Sequence, residues 1–300
     1  MADSWKITGF AAKAAVQAAL LAHDEVEDWD FDLVIAGREL AEDRPLDWVI
    51  EGWLPRQPTD ADTQAIAALF ADGAPQLTIE QLPPTDWVTE SQKGVQPIAA
   101  GPFYVRTPDH PPLAGRIDLV IPASQAFGTG QHATTAGCLA MLALMRREGA
   151  VVRRAADIGT GTGLLALAAL RLWPNALMTA SDIDPVCSGV VEENCAINGA
   201  AVGAQRGQLL MVVADGMADP LLNARAPFDL LIANILARPL IELAPDFSAA
   251  VAPGGHVVLA GLLRTQEAAV RRAYRAQGFR IARRLVNGDW SILWLRKRCR

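Results

Sequence analysis

The chain has 300 residues, of which 51% are hydrophobic, and carries a net charge of −6 at pH 7. This length predicts one large or two modest domains with a full hydrophobic core. The acidic balance does not favour nucleic-acid binding and suits a basic partner better. The four cysteines have no metal-ligand spacing, so we expect reduced thiols, a cytoplasmic location and no metal site. The first residues are not a secretory signal and no apolar run reaches membrane length.

Residues 1–82 are predicted to form a small α+β domain. Strand-like and helix-like segments follow each other in the order β-α-β-β-α-β, which is typical of a ferredoxin-like fold. The second strand is expected over Phe31–Ile35. Nothing here indicates catalysis, so the domain is either a docking platform or a structural appendage. Residues 83–115 contain seven prolines and are interpreted as a proline-rich linker, interrupted by a strand-like segment, Pro102–Arg106.

A glycine-containing loop follows a strand over Arg116–Ile121. The sequence Phe127-Gly128-Thr129-Gly130 leads into a helix expected from about Thr134 to Arg147. Two interpretations stay open: a lid over a ligand that Thr135 contacts, or a plain helix capped by Thr134 or Thr135. The role of His132 also has two interpretations, as a base or as a positioning group.

The strongest pattern is Asp157-Ile-Gly159-Thr-Gly161-Thr-Gly163, which follows an apolar strand and precedes an apolar helix. Glycines permit a tight turn and a close approach of ligand to backbone, while the helix N-terminus offers unpaired N–H groups. A second short strand ends in Asp182, where a carboxylate can accept the hydroxyls of a ribose. The pattern alone fits dinucleotide and S-adenosylmethionine (SAM) enzymes. The glycine spacing favours SAM.

Two further polar residues end strands. A strand is expected from Gln208 to Asp215, and Asp215 at its end could meet an adenine amino group or simply form a turn. Asn234 ends the apolar strand Phe228–Asn234, at the edge where open α/β sheets bind ligands. A single helix is expected over Leu240–Val251, a turn at Pro253–Gly255, and a closing strand pair around Asn287-Gly288. A mostly parallel sheet ending in a hairpin is the class I SAM-methyltransferase arrangement.

Several motifs together resemble the PrmA family, methyltransferases that modify large-subunit ribosomal protein L11. They are Ala126–Thr135, Asp157–Gly163, Ser181–Pro185, Ala233–Ala237, Pro253–Gly255, Gly261–Leu263 and Gly288–Trp290. The resemblance covers residues 116–300, while residues 1–82 match only in pattern. The chain departs from the family at Thr160, Gln131 and Arg238, which puts substrate detail in question.

The resemblance implies a Rossmann-like SAM-dependent methyltransferase domain over 116–300 and a substrate-recognition domain over 1–82. It implies a protein N-methyltransferase acting on lysine side chains or the N-terminal amine of ribosomal protein L11, as a monomer that requires no nucleic acid or membrane. The residues expected to contact SAM are Phe127, Gly128, Thr129, Thr135, Gly159, Gly161, Asp182, Asp215 and Asn234. Asn234 is the expected catalytic residue, steering an amine nitrogen.

Three alternatives stay open from the sequence. The chain could methylate another protein or a small amine, or it could bind SAM as a non-catalytic regulator. It could also be an NAD-dependent oxidoreductase, although the glycine spacing and the terminal hairpin argue against that class.

Overall fold

A computed structural model gives the fold. It describes residues 4–23, 26, 28–30, 32–41, 44–82, 96–122 and 132–299. These residues separate into two compact units, one ending at residue 82 and the other beginning at residue 96. No helix within the described ranges combines the length and the apolar character needed to cross a membrane.

The first unit is a four-stranded antiparallel sheet with two helices, in the element order β-α-β-β-α-β. Its elements are β1 (Ser4–Ala12), α1 (Lys13–His23), β2 (Val34–Ala41), β3 (Arg44–Leu54), α2 (Asp60–Ala68) and β4 (Leu77–Leu82). The strands lie in the order β2-β3-β1-β4. One apolar cluster, which includes Ile7, Val16, Ile50 and Ile66, fills the space between sheet and helices.

The second strand of this unit begins later than its sequence indicates. The prediction over Phe31–Ile35 is wrong, because the chain first makes a turn in which the Leu33 amide donates to the Asp30 carbonyl at 3.0 Å. The Trp29 indole N–H donates to the Leu33 carbonyl at 2.7 Å and closes the same turn. Local hydrogen bonds therefore take the backbone groups that strand pairing would have used.

The second unit opens with a small sheet, two of whose three strands lie inside the range predicted as linker. Its strands are β5 (Ile98–Ala100), β6 (Phe103–Arg106) and β7 (Ile117–Val120), with β5 and β6 antiparallel and β6 and β7 parallel. Phe103 and Leu119 are both fully buried in the main core. The five prolines from Pro97 to Pro112 lie outside these short strands, so they do not interrupt the pairing.

An eight-stranded sheet forms the centre of the second unit. Its strands are β8 (Arg154–Ile158), β9 (Leu177–Asp182), β10 (Ala201–Val202), β11 (Gln208–Val213), β12 (Phe228–Asn234), β13 (Val251–Leu263), β14 (Phe279–Asn287) and β15 (Trp290–Lys297). They lie in the order β10-β11-β9-β8-β12-β13-β15-β14. All pairs from β10 to β13 are parallel, and the last two pairs are antiparallel. The strand order reverses beside β8, which is where such sheets bind ligands.

Helices accompany this sheet along its length. They are α3 (His132–Arg147), α4 (Leu164–Leu172), α5 (Val186–Ile197), α6 (Pro220–Arg225), α7 (Ala237–Glu242), α8 (Ala244–Ala250) and α9 (Glu267–Ala276). Eight of the nine residues of α4 are buried, because this helix packs on the sheet and is itself covered by α3 and β7. Such complete burial explains its apolar sequence.

Three local predictions in this unit are corrected. Helix α3 begins at His132, so Thr134 and Thr135 lie in its first turn instead of capping it. The single helix expected over Leu240–Val251 is two helices, α7 and α8, that meet at Leu243. The expected turn at Pro253–Gly255 lies within the irregular start of β13, where Gly254 adopts φ +76° and the register with β12 shifts.

Candidate functional site

The glycine turn after β8 has the conformation that its sequence requires. Gly159, Gly161 and Gly163 all adopt positive φ, at 70°, 55° and 78°. The amides of Gly159 and Thr160 both donate to the Ser181 carbonyl, at 2.8 and 2.9 Å, which joins the turn to the neighbouring strand β9. Only glycine adopts these dihedral angles without a steric penalty. The turn is therefore a fixed feature of the sheet edge.

Asp157 stabilises this turn from inside. Its side chain is 1% exposed, and one carboxylate oxygen accepts from the Thr160 hydroxyl at 2.7 Å and from the Ala166 amide at 3.1 Å. Burial raises the pKa of Asp157 to about 7, although the two hydrogen bonds oppose that shift. Asp157 thus connects β8 to the start of α4 and is a structural residue.

Asp182 ends β9 beside the turn and is only partly buried. One carboxylate oxygen accepts from the Gly161 amide at 2.8 Å, and the other accepts from the Asp184 amide at 3.1 Å. The two backbone donors fix the orientation of the carboxylate. Each oxygen keeps further acceptor capacity, so the group is prepared for hydroxyl donors from a ligand.

The segment after β12 lies between two glycines. A Cβ on Gly159 would be 2.2 Å from Ile235 Cγ2, and a Cβ on Gly261 would be 2.2 Å from the Ile235 carbonyl oxygen. Neither glycine can carry a side chain without displacing Ile235. The position of Ile235 is therefore fixed, and with it the position of the half-buried Asn234 at the carboxyl end of β12.

The structure brings four of the predicted site residues to one edge of the sheet. Asp215, Asp182, Gly159 and Asn234 follow or end the neighbouring strands β11, β9, β8 and β12. The register supports this arrangement, because Val213 pairs with Asp182 in β9. Gly161 joins them through its hydrogen bond to Asp182. Asp215 is exposed at this edge.

The remaining predicted residues come from the segment that leads into α3 and from the start of that helix. Thr135 comes from the first turn of α3 and has a buried side chain, 4% exposed. Phe127, Gly128 and Thr129 lie outside the described residues.

Sequence reasoning missed two residues that help to build the site. Ser181 is fully buried, and its hydroxyl has no hydrogen-bond partner among the described residues, directly beside Asp182. Its small polar side chain in an apolar strand was the available signal. Ile235 has no local signal, because its role depends on glycines that are distant in sequence.

The close approach at Gly159 can be tested by adding one methyl group. We expect Gly159→Ala to weaken SAM binding by about tenfold or more, because strain at positive φ costs about 1–3 kcal/mol and the new Cβ displaces Ile235. Isothermal titration calorimetry with SAM measures the effect. Gly189→Ala is the control, since a Cβ at that exposed helical position meets nothing within 4 Å. Equal SAM affinities in the two variants would contradict this role of Gly159.

The raised pKa of Asp157 predicts a pH dependence of stability. Since the folded-state pKa is about 7 and the ordinary value is 3.8, the folded protein holds a proton that the unfolded chain releases between these values. The contribution of Asp157 to the free energy of unfolding should therefore be complete below about pH 4 and decline up to about pH 7. Urea unfolding from pH 4 to 8 should show a steeper decline for the wild type than for Asp157→Asn.

The control for this experiment is Asp219→Asn. Asp219 accepts the Leu221 amide at 2.7 Å at the start of α6, and asparagine can still cap the helix there. This variant should keep the wild-type decline. A decline of the same slope in Asp157→Asn would disprove the assignment.

Comparison with known proteins agrees with this geometry. The family described as "Ribosomal protein L11 methyltransferase (PrmA)" matches residues 16–298. A protein of that name from Agrobacterium fabrum is 38% identical over 89% of this chain and 90% of its own length. One from Brucella suis biovar 1 is 42% identical over 72% of this chain and 74% of its own length.

A solved structure shows the same architecture. It is the "ribosomal protein L11 methylase" from Lactobacillus delbrueckii subsp. bulgaricus, with a TM-score of 0.56 and 29% identity. The match covers 67% of this chain and 99% of the other. The family match extends over nearly the whole chain, and the sheet order and glycine turn agree with a class I SAM-dependent methyltransferase. This chain therefore belongs to the ribosomal protein L11 methyltransferase (PrmA) family.

Proposed function

We propose that this chain transfers methyl groups from SAM to amines of ribosomal protein L11, with Asn234 orienting the accepting nitrogen. The substrate follows from the names of relatives that are 38–42% identical. The single structural observation that carries the proposal is Asn234, held at the carboxyl end of β12 by the fixed Ile235.

The residues at the sheet edge suit a sulfonium nucleoside. Asp182 offers two oriented acceptor oxygens, which match the two hydroxyls of a ribose. The buried Ser181 hydroxyl beside it lacks a protein partner among the described residues. We assign the ribose to Asp182 and the adenine side to Asp215. We assign further contacts to Gly159, Gly161 and Thr135, and to the segment Phe127–Thr129. SAM supplies a methyl group that is already activated for displacement.

The protein then has to present a neutral nitrogen in line with that methyl group. Orientation of this kind can contribute up to about 7–11 kcal/mol. The Asn234 side-chain oxygen can accept an N–H of the incoming amine and direct its lone pair. Asn234 is uncharged, so it aligns the amine without holding it in the ammonium form.

The proton of the substrate amine leaves before the transfer. A lysine amine has an ordinary pKa near 10.4, and desolvation lowers that value because it disfavours the charged form. Residues 235–239 contain no carboxylate. Asp157 is buried and hydrogen-bonded to Thr160 and Ala166, so it does not serve as a base. We therefore assign deprotonation to desolvation and release to solvent.

The unit ending at residue 82 is assigned to substrate recognition. Its sheet and two helices have their own apolar core, so it can present a surface independently of the SAM site. We assign the reaction to a single chain in the cytoplasm, with free ribosomal protein L11 as a sufficient substrate. Nucleic acid is not required for methyl transfer.

The central test is the transfer of labelled methyl from SAM to purified ribosomal protein L11. Asn234→Ala should reduce kcat by about a hundredfold, because small losses of alignment have effects of this size. Affinity for SAM should fall much less. Asn223→Ala removes an exposed amide on α6 and should keep wild-type turnover. Full turnover by Asn234→Ala would refute the assigned role, and no transfer by the wild type would refute the proposed substrate.

The recognition role can be tested by removing residues 1–82. We expect the remaining chain to bind SAM with wild-type affinity, because the core of the second unit lies within residues 96–299. Methylation of ribosomal protein L11 should be lost. Calorimetric SAM binding controls for folding of the truncated chain. Undiminished methylation would show that the first unit is not needed for recognition.

A further inference from the structure

The charge of the chain is strongly uneven. Residues 264–300 contain 11 of the 27 basic residues and two of the 33 acidic ones, so this segment carries +9 while the rest of the chain carries −15. The net charge of −6 for the whole chain does not show this uneven distribution of basic and acidic residues. The basic segment comprises α9, β14 and β15, at one end of the large sheet.

Much of this charge surrounds a groove on α9 and β14. The groove has a volume of about 510 Å³ and contains no acidic lining residue. Its lining includes four arginines and two aromatic residues: Arg271, Arg272, Arg275, Arg280, Tyr274 and Phe279. The four arginines are all exposed. It belongs entirely to the second unit and lies on elements that do not contribute to the Asn234 edge.

Three of these arginines have no carboxylate partner among the described residues: Arg272, Arg275 and Arg280. Arg271 pairs with Glu267 at 3.2 Å. Arg272 and Arg275 are three positions apart on α9, and Arg280 lies directly opposite Arg296 in the β14–β15 ladder. Like charges at such positions destabilise a helix or a strand pair.

Ordinary explanations account for other arginines here, and for Arg275 in the last turn of α9, where the helix dipole favours a cation, but not for Arg272 and Arg280. Arg283 and Arg284 on the edge strand β14 form ion pairs with Glu148 at 2.9 Å and Glu267 at 2.7 Å. A solvated helix face normally mixes both signs of charge. Charged residues that guard a sheet edge do not need a cationic helix beside them. The unpaired cluster is therefore best explained by an anionic ligand.

We infer that this groove binds the sugar-phosphate backbone of double-stranded RNA. Arginine guanidinium groups recognise phosphate in a bidentate manner, and several of them along one groove match a repeating polyanion. The aromatic rings at the groove, Tyr274 and Phe279, are 0% and 1% exposed and are not available for base stacking. Contacts to the backbone without base recognition are typical of duplex RNA binding. The choice of RNA over DNA rests on the proposed function, since a ribosomal protein occurs together with ribosomal RNA.

The test uses the full chain and a fluorescent RNA duplex of about 16 base pairs, which is the span of one double-stranded RNA-binding module. Fluorescence anisotropy from 50 to 200 mM salt gives the affinity and its salt dependence. The variant with Arg272→Gln, Arg275→Gln and Arg280→Gln should bind about tenfold more weakly or worse. Its slope of log affinity against log salt should be about 2 to 3 smaller, at about 0.9 for each lost phosphate contact.

The control variant carries Arg146→Gln, Arg147→Gln and Arg153→Gln, which remove the same charge from exposed positions away from the groove. It should bind RNA with less than a twofold change. Equal losses in the two variants, or no RNA binding by the wild type, would overturn the inference. Equal binding of a DNA duplex, or equally strong competition by polyglutamate, would also overturn it.

Methylation of free ribosomal protein L11 separates this inference from the proposed function. The groove variant should retain wild-type turnover on the free protein, because none of its substitutions lies at the Asn234 edge. Loss of that turnover would make the groove part of the protein-substrate site and would reject the RNA assignment. Absence of turnover in every form, with RNA binding retained, would count against the proposed function alone.

Discussion

The site depends on the close packing of Ile235 between Gly159 and Gly261. A Cβ on either glycine would lie 2.2 Å from an atom of Ile235, so Ile235 packs directly against both backbones. Direct contact between Gly159 and Ile235 therefore determines where the glycine turn after β8 lies relative to the end of β12. Precise placement matters for the role proposed for Asn234, because an amide that aligns a nitrogen acts through geometry alone.

Two carboxylates near the turn show how environment separates their roles. Asp157 is 1% exposed and interacts with Thr160 and Ala166, so its contribution is to hold strand, turn and helix together. Asp182 is partly exposed and is oriented by two backbone amides. The carboxylate of Asp157 accepts hydrogen bonds from groups inside the protein, whereas the carboxylate of Asp182 keeps acceptor capacity for the proposed ligand. Their difference follows from burial and hydrogen bonding, since the side chains are chemically identical.

Much of this arrangement could be predicted from the sequence because its signals are local. The glycine turn, Asp182 and Asn234 each follow a recognisable apolar strand, and the family match and the solved relative confirm the fold that they indicated. What could not be predicted depends on contacts between distant residues. To predict the role of Ile235, one would have to know that Gly261 packs against it.

Other misses have similar causes. The strand-like segment predicted over Pro102–Arg106 is confirmed as β6, but its pairing with β5 and β7 into a buried sheet could not be predicted, because it depends on contacts with the core. The separation of α7 from α8 at Leu243 has a local signal instead, because Pro245 lies in the first turn of α8 and cannot continue a helix from before it. Local sequence preferences are weak where tertiary packing decides the outcome.

The small sheet β5–β7 determines how this protein could diversify. Phe103 and Leu119 belong to the core of the second unit, and all the described residues of its two apolar clusters lie from Ile98 onward. A different first unit could be joined before Pro97 without removing any of these described core side chains. Given the recognition role proposed for the first unit, evolution could exchange that unit at this position while the transfer chemistry stayed constant, and protein engineers could use the same junction to direct methylation toward a chosen target.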